Sequence, residues 1–306
     1  MPTPTSHVFA ATSEQITQLR AKLEERGWSF AAAPHAHWTA SKDKTSVAAY
    51  QSGKVTVQGR GTAELVQFVI EPEILKEARF GYEAEVKADA DPAMLEPHAG
   101  IDESGKGDYF GPLVIAAAYV DPETALPLLK AGVADSKTIK SDRRIYELEG
   151  AIRGLTRGRF SVVAIGPEAY NRLYKKFGNV NSLLAWGHAR ALENLLALVP
   201  DCPRALSDKF GAEQLIQRAL LEKGRTLKLD QRTKAESDVA VAAASILARA
   251  EFIRRLAGLG APHGFKLHRG AGPQVTQQAG AVFAKGGMNL LGCFAKLHFK
   301  TTDEFA

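Results

Sequence analysis

Asp102 and Glu103 stand side by side behind the apolar residue Ile101 and directly ahead of Ser104-Gly105-Lys106-Gly107. Two adjacent carboxylates at the end of an apolar strand, beside a Gly-Lys-Gly turn that removes side-chain bulk, leave the backbone open to close approach by a ligand. The ordinary alternative is a solvated acidic pair at a hairpin. Neighbours on a regular strand point to opposite faces, so serving one site requires a bend here, which Gly105 and Gly107 permit. Gly100, Gly105 and Lys106 also fit the phosphate-loop pattern G-x-x-x-x-G-K, but Gly107 occupies the Ser/Thr position. The run Leu113–Val120 that follows is strand-like where that motif demands a helix, so the phosphate-loop reading is set aside.

Two further acids have comparable settings. Asp208 follows the short apolar stretch Arg204–Ser207, and Glu236 opens a small-residue helix, with Asp238 two residues on as a rival. Each has an ordinary alternative: Asp208 as a strand-end turn residue, Glu236 as a first-turn carboxylate stabilised by the helix dipole. His35, His37, His263, His268 and His298 are not read as metal ligands; Lys266 and Arg269 suit phosphate contact better.

Elements must carry these groups to one place. Near the N-terminus an apolar run, Val8–Ala11, precedes a helix signalled by a Thr12/Gln15 capping box and by Ile16, Leu19 and Leu23 at helical spacing. Four antiparallel strands are expected at 28–33, 37–41, 45–50 and 54–58, then a second helix from Thr62 through Leu65, Phe68 and Val69. Trp38, Tyr50, Lys42, Lys44, Lys54 and Arg60 are candidates for a basic, partly aromatic sheet face, the alternative being that the aromatics are core. The stretch 81–96 has little to bury and reads as a linker between an N-terminal domain, 1–80, and a larger domain, 97–306. In the latter, strands are expected at 100–103, 113–120, 160–165, 204–207 and 226–229, and helices at 141–153, 181–199, 212–221 and 237–256. Early strands joined by a short turn, then strands alternating with helices, predict an α/β mixed sheet flanked by helices. The tail from Gly260 reads as loop-rich, closing on the run Phe294–Phe299.

With 306 residues, 45% hydrophobic and 24% charged, the chain has the composition of a globular protein of about two domains, and disorder, collagen and low complexity are excluded. The 39 basic against 34 acidic side chains give a net charge of +5, which favours a polyanionic partner. The two cysteines, Cys202 and Cys293, have neither zinc spacing nor a disulfide framework, which fits a reducing cytoplasm. No signal peptide or membrane span is read.

Taken together, these motifs resemble ribonuclease HIII, a branch of the type 2 ribonucleases H. The resemblance is carried by Asp102–Val114, Asp135-Ser136-Lys137, Asn181–Arg190, Thr233–Glu236 with Ala242–Ser245, and Ala295–Phe299, in the family's order. It implies a ribonuclease H-like mixed sheet preceded by a small α+β domain resembling half of a TATA-box-binding protein. It implies a hydrolase, an endonuclease cutting the RNA strand of RNA/DNA hybrids with Mg2+ or Mn2+, two ions with substrate bound, leaving 5′-phosphate and 3′-hydroxyl ends. The family's catalytic and metal-holding acids map onto Asp102, Glu103, Asp208 and Glu236, whose mutual repulsion should raise their pKa values. Substrate contact maps onto the backbone of Ser104, Gly105, Lys106 and Gly107, with Ser136, Lys137 and Asn181; Asn179 or Asn181 could instead be a helix cap. The N-terminal domain is implied in gripping the hybrid, with no membrane and no obligatory protein partner. Two competing readings are the ribonuclease HII type, cutting at single ribonucleotides in duplex DNA, and a non-catalytic hybrid-binding protein.

Overall fold

The computed structural model describes residues 5–77, 79–208, 227–233 and 235–305, and the chain divides into two units, Met1–Asp89 and Ala90–Ala306. The expected helix at 212–221 and the start of the strand at 226–229 lie outside the described residues.

In the first unit β1 (Ser6–Ala10), β2 (Ser29–Ala31), β3 (Ala36–Lys42), β4 (Thr45–Tyr50) and β5 (Lys54–Gly59) form an antiparallel sheet in the order β1-β5-β4-β3-β2. The apolar run near the N-terminus is thus an edge strand, too short to show a period in sequence. Helix α1 (Ser13–Glu25) carries the expected Thr12/Gln15 capping box and buries Ile16, Leu19 and Leu23. Alternate residues of the sheet, Trp38, Ala40, Val47, Ala49, Val55 and Val57, share that core. Strand parity therefore takes Trp38 out of the proposed sheet face: it is 4% exposed and packs against Phe30 at a ring separation of 5.5 Å. Helix α2 (Thr62–Leu65) passes directly into a π-helix, Val66–Leu75, with Pro72 inside. The wider turn changes the angular spacing, so Leu65 and Val69 are buried while Phe68, expected beside them, is 63% exposed. The stretch read as a linker holds α3 (Glu83–Ala90) and a 3-10 turn, Pro92–Leu95, that buries Met94.

The second unit is built on β6 (His98–Ser104), β7 (Leu113–Val120), β8 (Phe160–Ile165), β9 (Arg204–Asp208) and β10 (Lys228–Arg232), in the order β10-β9-β6-β7-β8. β10, β9 and β6 run parallel, while β7 is antiparallel to both β6 and β8, which is the expected mixed sheet. Every residue of β7 is buried, as its unbroken apolar run requires of a strand covered on both faces. Helix α4 (Pro122–Lys130) leads to α5 (Asp142–Leu155), and α6 (Pro167–Phe177) to α7 (Val180–Leu198); α8 (Val239–Gly260) and α9 (Pro273–Phe294) follow β10. Helix α9 occupies much of the tail expected to be loop; its glycines, with a kink at Gly286 and Gly287, mask it in sequence.

One face of β6, Ala99 and Ile101, shares a core with Leu183, Leu184 and Leu192 of α7. On the other face α8 comes so close that a Cβ on Gly100 would lie 2.1 Å from the backbone of Ala240 and Val241. The small residues Val239–Ser245 permit this approach, and all of them are buried. His98 fastens the same contact from the start of β6. Its Nε2 lies 3.0 Å from both carboxylate oxygens of Asp238, and its Nδ1 is 2.7 Å from the Glu96 carbonyl. The Glu96 carbonyl can only accept, so the Nδ1 contact fixes that nitrogen as a donor and sets the ring against the Asp238 carboxylate. Asp238 also accepts from the Ala240 and Val241 amides as the N-cap of α8.

After α9, Lys296 is wholly buried, its Nζ donating to the Asp108 carbonyl at 2.7 Å and standing 5.7 Å from the centre of the Tyr170 ring. Burial pushes its ammonium down to about 7, with the nearby Asp108 charge opposing. An unfolded chain keeps that proton up to about pH 10.4. Between pH 7 and 10 the unfolded state therefore binds more protons, and stability rises with pH by at most about 1.4 kcal/mol per unit. Urea denaturation should show this slope in the native chain and its loss in Lys296→Met. Equal slopes in the two proteins would contradict the assignment.

Candidate active site

Strand β6 delivers Asp102 and Glu103 to opposite faces of the sheet, and each meets a different helix. Asp102 hydrogen-bonds to Ser245 of α8. Ser245 Oγ is in turn 2.7 Å from Ser136 Oγ, in the one-turn 3-10 helix Ser136–Thr138. If the single Ser245 proton goes to Asp102, Ser136 must donate to Ser245, giving a chain directed at the carboxylate. Glu103 turns to α7, where His188 Nε2 lies 3.0 Å from its Oε2; on the other side Lys106 Nζ is 3.8 Å from its Oε1.

No sharp bend is needed to bring these two acids to one space. The pairing of β6 with β9 runs from Ala99↔Ala205 to Ile101↔Ser207, so one further step sets Asp208 beside Asp102 at the end of β9. Beyond it Asp102, Glu103 and Asp208 all line one cavity of about 550 Å³, together with the loop 104–108, Ser136 and Lys137. Ser245, Arg249 and Arg269 complete its polar wall. Arg249 donates to the Ser136 carbonyl and Arg269 is paired with Asp142. The helix that a phosphate loop demands is not there: β7 follows, as the strand reading expects.

Glu236 is not among the cavity-lining residues. It sits in the 3-10 turn Ala235–Ser237, whose Ala235 packs on Leu206 of β9 and Val241 of α8. Its Oε2 is buried with no hydrogen-bond partner among the described residues. Asp238, its sequence rival, is engaged by His98 and two amides and has no such free oxygen.

The remaining candidates separate by position. Gly105 has φ +89°, and a Cβ there would lie 2.3 Å from the Pro112 carbonyl, so its bareness serves the fold. Gly107 has nothing within 4 Å of a Cβ position and is exposed, which leaves its backbone open to a ligand. Lys106 and Lys137 are exposed at the cavity, whereas the Ser136 hydroxyl is buried and turned to Ser245. Asn181 is exposed in the first turn of α7 and does not line the cavity; the cap of that helix is Asn179, whose Oδ1 accepts from the Ser182 amide. His188 was not among the sequence candidates, because a histidine on an apolar helix shows its partner only in three dimensions.

Charge is not shared evenly here. Burial, reinforced by the Glu103 charge, pushes the Asp102 carboxyl up to about 6, as repulsion predicts. Glu103 departs from that expectation: burial opposes its charge, but the hydrogen bond and positive charge of His188, with Lys106 and Lys137, hold it below the usual range.

An all-oxygen donor set, one crowded carboxylate and an unpartnered Glu236 oxygen fit a hard divalent cation. Among the described residues no three His, Cys, Asp or Glu side chains close around one point, so the acids form an open cleft rather than a finished cage. Magnesium-type sites are commonly completed by water and substrate phosphate.

Comparison with known proteins gives a consistent result. A family model described as Ribonuclease HII matches residues 99–302, and a domain of unknown function, DUF3378, matches residues 6–78. Ribonuclease HIII of Chlamydia trachomatis serovar L2 is 39% identical over 98% of this chain and 97% of its own length. Ribonuclease HIII of Protochlamydia amoebophila is 42% identical over 92% of this chain and 90% of its own. Among solved structures, Bst-RNase HIII in complex with Mn2+ superposes with a TM-score of 0.64 at 28% identity, covering 98% of this chain and 97% of that one.

Proposed function

Because the chain belongs to the ribonuclease HIII family of endonucleolytic hydrolases, we propose that it cuts the RNA strand of RNA/DNA hybrids at the cavity bounded by Asp102, Glu103 and Asp208. The observation that carries this reading is the convergence of those three acids, from two neighbouring parallel strands, on one space beside a glycine-rich loop.

Asp102, Glu103, Asp208 and Glu236 are the residues that would hold Mg2+ or Mn2+, two ions once substrate is present, activating a water and stabilising the departing oxygen. The chain's own contribution is to place the scissile phosphate. Lys106 and Lys137, at the cavity, meet phosphate oxygens. The open backbone at Gly107, with Ser104 to Lys106, comes close enough to a ribose to sense the 2′-hydroxyl, which both donates and accepts. Water adds to phosphorus as the bond to the 3′-oxygen breaks, and a proton goes to that oxygen, leaving 5′-phosphate and 3′-hydroxyl ends. Ser136 acts indirectly, through Ser245 and Asp102. Asn181, outside the cavity wall, serves substrate further along the surface.

The N-terminal unit is assigned to hybrid binding. His35, Tyr50, Lys54 and Thr56 line a depression of about 530 Å³ in that unit, which joins an aromatic ring to positive charge. No helix among the described residues is long and apolar enough to cross a membrane, and cytoplasmic action remains part of the proposal.

The test is incubation with a labelled hybrid, a duplex carrying one ribonucleotide, and duplex DNA, each with Mg2+, Mn2+ or chelator. Metal-dependent cutting of the hybrid, with 3′-hydroxyl products, is expected. Cutting that persists under chelation, or that treats DNA equally, contradicts the reading; tight hybrid binding with no cutting favours a non-catalytic binder.

A further inference from the structure

We propose that His188 is a positioning residue that fixes the Glu103 carboxylate from beneath the sheet and thereby sets the affinity of the site for its divalent cation. This rests on the reading of Glu103 as a metal-holding acid.

Helix α7 is otherwise apolar where it faces the sheet: Leu184, Leu192 and Leu195, at the spacing of one and two turns around His188, are all buried. A buried imidazole among them costs about 1–3 kcal/mol unless it is hydrogen-bonded. Its Nε2 is hydrogen-bonded to Glu103 Oε2 at 3.0 Å, with the His188 side chain 1% and the Glu103 side chain 14% exposed. Glu103 has a second neighbour in Lys106, but that contact is 3.8 Å and the lysine side chain is 41% exposed, so it is screened by solvent and does not hold one geometry. Of these two contacts, only the imidazole belongs to a packed element. It occupies Oε2 and leaves Oε1 on the side of the loop 104–108.

The arrangement is matched across the sheet. Ser245 of α8 holds Asp102 from one face, as His188 of α7 holds Glu103 from the other. Two helices on opposite faces thus each orient one of two adjacent acids, as outer-shell groups orient metal ligands, where their loss typically lowers metal affinity or activity by about 10–100-fold.

Gln and Asn separate this role from core packing. Both carry the same amide, but only Gln reaches the position of the imidazole Nε2. In the full-length chain without substrate, Mn2+ affinity is measured by electron paramagnetic resonance of the free ion. The Mn2+ concentration giving half-maximal hybrid cleavage is read alongside, with thermal midpoints for folding. His188→Asn and His188→Leu should weaken Mn2+ binding about 10–100-fold, with kcat largely restored at saturating Mn2+ and hybrid affinity without metal unchanged. His188→Gln should remain within about threefold of the native chain, on the same reasoning. Asn matching the native chain, or Gln no better than Asn, overturns the proposal; should the Leu chain not fold, the Gln and Asn pair decides alone. Glu103→Gln is the control. If it leaves Mn2+ affinity intact, the reading of Glu103 fails; if it abolishes binding while His188→Asn does not, only the role of His188 fails.

Discussion

Replacing Asp102 by Asn lowers hydrolysis of an RNA/DNA hybrid by about a thousandfold or more, equivalent to about 4 kcal/mol of transition-state stabilisation, while hybrid affinity stays within a few-fold. The change keeps shape and removes charge, so fold and surface are preserved. Its effect is large because Asp102 is central to the site: it adjoins Glu103 in sequence, stands beside Asp208 across the parallel pair, and receives the hydrogen bond from Ser245. Removing a charge from this crowded place also relieves repulsion, so the apo protein should be no less stable, and slightly more stable if anything. The two readouts should therefore move apart, with kcat collapsing and the denaturation midpoint holding or rising. Gel-shift and single-turnover cleavage on the same hybrid measure the contrast. A variant that cuts at more than a tenth of the native rate would remove Asp102 from the chemistry.

Gly100→Ala should destabilise the second unit by about 3 kcal/mol or more, at the upper end of the usual cost of overpacking. The added methyl would meet the backbone of Ala240 and Val241 at 2.1 Å, and backbone at the start of a helix cannot rotate away as a side chain can. Relief requires α8 to move off β6. That shift would also displace Ser245 from Asp102 and stretch the His98–Asp238 bond, so activity should fall along with stability. Urea denaturation followed by helical circular dichroism reads the first effect. A loss under about 1 kcal/mol would show that strand and helix are not so closely fitted.

Both expectations depend on features that differ in how openly the sequence displays them. The strands at 113–120 and 160–165 were legible to the residue: the first is an uninterrupted apolar run stopped by Asp121-Pro122, and the second is a β-branched-rich stretch stopped by Gly166-Pro167. The Thr12/Gln15 capping box was legible because it is a local pairing. Helices α4 and α6 were missed: Pro127 inside α4 reads as a breaker, and Pro167 at the start of α6 reads as a turn unless the N-terminal preference for proline is applied. Residue type leaves Trp38 either on a basic sheet face or in the core, and strand parity places it in the core.

At the site, Asp102 and Glu103 were legible because their neighbours are glycines and a lysine. What sequence could not convey is the third dimension. That Asp208 falls beside Asp102 depends on a parallel register across about a hundred residues. That Asp238 is a cap and a partner of His98, leaving Glu236 with the free oxygen, depends on burial. That Glu103 stays charged while Asp102 is pushed up depends on a histidine that pattern alone would assign to the core.

The most direct test of the whole account is to crystallise the chain with Mn2+ and collect data at the manganese absorption edge. An anomalous peak bounded by the carboxylates of Asp102, Glu103 and Asp208, lost in Asp102→Asn, is the predicted result. Saturating Mn2+ with no peak in that cleft, or a peak only elsewhere on the chain, would contradict it.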